Sequence, residues 1–147
     1  MVHYLVDTNV VSAAAPRGRP ENGLADWMDA HSSALFLSSV SIAEIAAGIA
    51  RLKREGATRK AEALSDWLEV VLHLYGDRVL PFETATALIA GRMSDLARAR
   101  GGSPGFADVA IAATAQQHGL VVLTRNERHF DLFDVRHVNP FDALPTD

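Results

Sequence analysis

The feature that most constrains this chain is a repeated handover from a short apolar run to a longer helical pattern. HYLV (3–6), ALFLSSV (34–40), RVLPF (78–82), LVVLT (120–124) and VRHV (135–138) are brief runs rich in β-branched and aromatic residues. Runs of that length and composition suit buried strands. Between them lie stretches with helical spacing, and strands that alternate with helices favour right-handed βαβ units. The expected fold class is therefore α/β, with a mostly parallel central sheet covered by helices on both faces. No internal repeat or long linker divides residues 1–147, so one domain is expected.

The helical segments read as follows. TNVVSAAA (8–15) is a short helix closed by Pro16, and PRGRP (16–20) is a breaker-rich loop. In ENGLADWMDAHS, Leu24, Trp27 and Met28 mark one helical face. SIAEIAAGIARLKREG (41–56) has Ile42, Ile45, Ile49 and Leu52 at three- and four-residue steps, basic residues Arg51, Lys53 and Arg54 near its end, and Gly56 as its stop. ATRKAEALSDWLEVVLHLYG (57–76) carries Leu64, Trp67, Leu68, Val71 and Leu72 on one side, and ETATALIAGRMSDLARARGG (83–102) ends at a glycine pair. The loop GGSPGF leads into the small-residue helix ADVAIAATAQQHG (107–119), and TRNERHFDLF (124–133) reads as a polar turn with about one turn of helix.

Composition narrows the function classes. The chain has no cysteine, which removes disulfides and thiolate metal sites. Its 48% hydrophobic and 22% charged residues suit a compact globular protein. No apolar run approaches the roughly 20 residues needed to cross a bilayer, and the N-terminal stretch has no secretory pattern, so a cytoplasmic protein without membrane attachment is expected. A formal charge of −4, from 14 Lys+Arg against 18 Asp+Glu, argues against coating nucleic acid by charge alone. It leaves nucleic acid open as a substrate, because carboxylates that bind a divalent cation still attract a phosphodiester through the metal.

Sites in open parallel sheets form beyond the carboxyl ends of the strands, where strand order reverses. Asp7 directly follows the first strand, Asn126 follows LVVLT, and Asp108 lies in the first turn of the helix leading into that strand. Glu44 stands in the first turn of its own expected helix. Each has an ordinary structural reading: Asp7 as a helix cap, Ser41 and Glu44 as a capping box, Asp108 as a charge favoured by the helix dipole, Asn126 as a turn residue. Independent caps have no reason to converge, however. Three carboxylates and a carboxamide on one edge make a hard oxygen site suited to Mg²⁺, with Mn²⁺ accepting the same ligands. Zinc is disfavoured by the missing cysteines and by six histidines without close ligand spacing.

LVDTN at the start, SIAEI at 41–45, FADVAIAATA at 106–115 and LTRNERHF at 123–130 resemble, in order and spacing, the PIN-domain toxins of bacterial VapBC and FitAB-type toxin–antitoxin pairs. The resemblance runs through nearly the whole chain, to VNPF at 138–141. It implies a PIN-like three-layer fold and a metal-dependent endoribonuclease that acts when its antitoxin is lost, cutting RNA to leave 3′-hydroxyl and 5′-phosphate ends. Carried over residue by residue, Asp7, Glu44 and Asp108 match the family's acidic positions, and Thr8 and Asn9 match the polar pair after the first. Asn126 falls where the family's fourth acidic position varies, while His129 stands where an Asp is often found.

On this reading Asp7 and Asp108 are the main metal ligands and Glu44 binds metal or accepts a proton from the attacking water. Asn126 holds a water or a phosphate oxygen. Crowded carboxylates should raise the pKa of at least one of them. Thr8, Asn9 and Arg125 are the candidate substrate contacts. Two further basic sets, Arg51, Lys53, Arg54, Arg59 and Lys60 in one and Arg92, Arg98 and Arg100 in the other, read either as phosphate contacts or as solvated faces. The implied partners are RNA, a VapB/FitA-like antitoxin and a second copy in a homodimer. Two alternatives remain: a haloacid-dehalogenase-type phosphatase, which would want a second Asp where Asn9 stands, and a catalytically weak PIN-like module that binds RNA or protein.

Overall fold

The computed structural model describes residues 1–15 and 22–146; the loop expected at 16–20 and the stop expected at Pro16 lie outside them. The strands are β1 (Tyr4–Val6), β2 (Leu35–Ser38), β3 (Val79–Leu80), β4 (Val121–Leu123) and β5 (His137–Val138). The helices are α1 (Thr8–Ala13), α2 (Leu24–Ala30), α3 (Ser39–Arg54), α4 (Thr58–Tyr75), α5 (Thr84–Ala99), α6 (Phe106–His118) and α7 (Glu127–Phe130). All strand pairs are parallel, in the order β3-β2-β1-β4-β5, with Tyr4 opposite both Leu35 and Val121.

Strand alternation explains the three layers. Tyr4, Val6, Leu35, Leu37, Val121 and Leu123 face a core that also takes Val10, Leu24, Trp27, Ile45, Val71 and Tyr75 from α1 to α4. The intervening Leu5 and Val122, with Phe36, pack on the opposite side against Ala90, Met93, Val109 and Ala112 from α5 and α6. Successive side chains of a strand point to opposite faces, so each short apolar run feeds both cores at once. That is why these strands read as continuous apolar runs and not as alternating ones.

The helices differ in how they meet the sheet. Helices α3 and α4 each bury a single stripe, as their spacing predicts; Leu72, expected on the α4 stripe, lies at its exposed margin. Helix α6 instead buries seven consecutive residues, Val109–Ala115, on both its sheet and its α5 sides. Its short alanine side chains let both neighbours approach closely, and Gly119 ends it in the left-handed conformation (φ 65°) that glycine adopts without strain.

Several boundaries move relative to expectation; VRHV, for one, keeps only His137–Val138 as strand. The run ALFLSSV stops as a strand at Ser38, whose hydroxyl accepts from the Val40 N–H at 3.1 Å. Helix α3 therefore starts at Ser39, two residues before the expected Ser41. RVLPF keeps only Val79–Leu80 in the sheet, because Pro81 has no N–H to donate. Among the described residues, no helix is long and apolar enough to cross a membrane.

Candidate active site

The chain leaves β1 toward β2 on one side of the sheet, while β4 lies on the other, so strand order reverses between β1 and β4. This is where an open parallel sheet forms its crevice. The residue after β1 is Asp7, whose N–H donates to the Leu123 carbonyl at 2.9 Å, tying it to the end of β4.

Asp7 is only 5% exposed. One carboxylate oxygen accepts from the Thr8 N–H at 2.8 Å, so the expected cap on α1 is formed. The other accepts from the Thr124 hydroxyl at 2.8 Å and from the Asn9 carboxamide at 3.3 Å. Thr124 is fully buried and accepts from the Asn126 N–H at 3.0 Å, so one hydroxyl links the acid to the TRN turn. Asn9 makes a second link, its carboxamide oxygen accepting from the Arg125 N–H at 3.2 Å. Burial pushes the Asp7 carboxyl above its ordinary value of 3.8, and the charges of Asp108 and Glu44 push it the same way. The hydrogen bonds from Thr124 and Thr8 pull in the other direction. The expected raised pKa is present, but its main cause is lost hydration and not repulsion.

The second acid is held differently from its expectation. Because Ser38 caps α3, Ser41 is a buried residue inside the helix and Glu44 sits in the second turn, so no Ser41–Glu44 capping box forms. Glu44 instead accepts from the Thr8 hydroxyl at 2.6 Å, and that hydroxyl also lies 2.8 Å from the Ser41 hydroxyl. Helix geometry brings Ser41 and Glu44, three residues apart, onto one face toward Thr8.

Asp108 is the third residue of α6, in its first turn as expected. One of its oxygens lies 2.9 Å from Nδ1 of His129. Asn126 stands at the N-terminus of α7, exposed, with no hydrogen bond from its carboxamide among the described residues. Arg125 is exposed, and its guanidinium lies 3.9 Å from the centre of the Phe141 ring. Thr124 and Ser41 are the residues whose part in the site was missed. From the sequence, Ser41 reads only as half of a capping box and Thr124 only as part of the TRN turn; neither is linked to the acids.

The donor set suits a hard divalent cation: three carboxylates at one sheet edge, with Asp7 electrostatically coupled to both others. Among the described residues no three His, Asp or Glu side chains already enclose a metal position. Thr8 engages Glu44, and His129 engages Asp108.

Residues 4–135 match the family described as the PIN domain. The chain is 35% identical to the toxin FitB of Neisseria gonorrhoeae, over 93% of this chain and 97% of that protein. It is 31% identical to a VapC ribonuclease of Sinorhizobium fredii, over 94% and 97% respectively. The crystal structure of FitAcB from Neisseria gonorrhoeae superposes with a TM-score of 0.83 at 35% identity, covering 94% of this chain and 98% of that one.

Proposed function

Because the chain belongs to the PIN-domain family, we propose that it is a divalent-metal-dependent endoribonuclease, the toxin of a type II toxin–antitoxin pair. The observation that carries this reading is the buried Asp7 at the β1–β4 crevice, coupled to the charges of Glu44 and Asp108. A relative named as a ribonuclease and another named as a toxin support it. Similarity to the toxin FitB and to the solved FitAcB and FitAB structures supports a VapB/FitA-like antitoxin as partner; a homodimer of single-domain subunits is part of the same proposal. Position 9 speaks against the phosphatase alternative, since Asn9 is occupied in hydrogen bonds to Asp7 and to the Arg125 N–H.

Asp7 and Asp108 are the residues that would hold Mg²⁺ or Mn²⁺, with Glu44 as a further donor. When bound, such an ion acidifies water and neutralises charge on phosphate oxygens. The protein's own part is positioning. Hydrogen bonds from Thr8 and Thr124 hold the buried Asp7 carboxylate in place. Glu44 has one oxygen engaged by Thr8, leaving the other to take the proton of the attacking water. Asn126 offers an unpartnered carboxamide to a phosphate oxygen.

The test is cleavage of single-stranded RNA by the purified chain with Mg²⁺, with Mn²⁺ and with EDTA, alongside thermal melts with and without each metal. Metal-dependent cleavage and a metal-induced rise in Tm, both removed by Asp7→Asn, are expected. The engagement of Glu44 and Asp108 by Thr8 and His129 favours, as a second reading, a module that binds RNA without cutting it. RNA binding with no cleavage under either metal would select that reading.

A further inference from the structure

The TRN turn and α7 bring Arg125, Arg128 and His129 to the same edge as Asp108. Two neighbouring clefts open there. One, about 510 Å³, is lined by Arg125, Asn126, Arg128 and His129 among others. The other, about 200 Å³, is lined by Ser103, Gly105, Asp108, Arg128 and His129 among others. Arg128 and His129 are common to both, so they form the partition between the candidate catalytic acid and the TRN turn.

The cations on this partition are not equivalent. The Arg125 guanidinium is stacked over the Phe141 ring at 3.9 Å, which fixes its place and leaves its N–H donors free, and His129 is engaged by Asp108. Arg128 has neither a carboxylate nor a ring partner among the described residues, and it is exposed. Asp131, the acid three residues on that could pair with Arg128, reaches one nitrogen of His137 at 3.0 Å. Glu127, which as the adjacent residue faces away from Arg128, reaches the other nitrogen at 2.9 Å.

We propose that Arg128 is a substrate-positioning residue, receiving an RNA phosphate next to the one being cleaved. The inference rests on the nuclease reading above. A guanidinium presents a planar fork of donors suited to phosphate oxygens, and a phosphate contact adds affinity and register without reading sequence.

The experiment is steady-state cleavage of a fluorescent single-stranded RNA by the full chain across a salt series, for the parent and for Arg128→Gln and Arg128→Lys, with thermal melts to confirm folding. Arg128→Gln is expected to raise KM several-fold with kcat unchanged. The log–log salt dependence of kcat/KM should become shallower by about 0.7, the loss of one single-strand phosphate contact. Arg128→Lys should recover part of the loss in KM and the full salt slope, since it keeps the charge and loses the fork. Unchanged KM and salt slope in Arg128→Gln, or a fall confined to kcat, overturns the proposal while the nuclease reading stands. A parent that cleaves no RNA overturns the nuclease reading, and this assignment with it.

Discussion

The floor of the candidate site and its rim are built on opposite terms. Asp7 and Thr124 are 5% and 0% exposed and are bonded to each other. Glu44, Asn126 and His129 are exposed, Asp108 is half-buried, and each rim acid has one neighbour that ligand binding could displace. The floor is fixed when the sheet forms, because its residues directly follow two paired strands. The rim is carried on the early turns of α3, α6 and α7, so its side chains can reorient without disturbing a core. A buried carboxylate with a raised pKa also stores unfavourable energy that a counter-ion relieves, which exposed acids do not.

That contrast can be broken at several points. The largest expected effect is on Asp7→Asn, which should lower RNA cleavage at least about a hundredfold and abolish growth inhibition on expression. Its stability relative to the parent should depend on pH. A carboxyl whose folded-state pKa lies above 3.8 contributes stability that is complete below 3.8, is lost as pH rises through the folded value, and is absent at neutrality. A carboxamide keeps one acceptor oxygen where Asp7 uses two, so metal-free Asp7→Asn should melt below the parent at acid pH, with the gap narrowing toward pH 7. A gap that is the same at every pH would show that burial of the Asp7 charge carries no penalty.

Asp108→Asn should remove cleavage to a similar degree while changing stability by less than about 1 kcal/mol, the scale of a charge at a helix N-terminus. Comparing denaturant midpoints with RNA turnover separates the two roles; retained toxicity would remove Asp108 from the site. Thr124→Val comes next. It deletes a buried donor to Asp7 and the acceptor for the Asn126 N–H, and should cost about 1–3 kcal/mol with a smaller, roughly tenfold loss of cleavage. The smallest structural effect is expected for Glu44→Gln, since the amide oxygen still accepts from Thr8. Urea unfolding should match the parent to within about 0.5 kcal/mol, whereas its cleavage pH profile should lose the limb of the group that accepts the water's proton.

Much of the site was legible because its residues sit at places that local rules identify. Asp7 follows an apolar run, Asp108 opens an alanine-rich helix, and Asn126 follows the run before β5. Glu44 was placed less accurately, in the first turn of its helix. Ser38 takes the cap, so Glu44 falls in the second turn, and the Ser-x-x-Glu spacing turns both side chains toward Thr8 in place of a capping box. Thr124 carried no such mark, since a hydroxyl at a strand end becomes important only when a neighbouring strand sets an acid beside it.

The amino-acid sequence by itself determined the alternation of strands and helices, the stripes of α3 and α4, the all-round burial available to α6 and the acidic residues at the strand and helix ends. All of these follow from spacing and side-chain type within a few residues. Tertiary structure alone decided which strand lies beside β1, and with it the meeting of Asp7 with Thr124 across 117 positions of chain. It also decided that Phe141 holds Arg125 and that His137 holds Glu127 and Asp131. The physical reason is that charge and hydrogen-bonding capacity belong to a residue, while the partner that satisfies them is set by sheet order and helix packing.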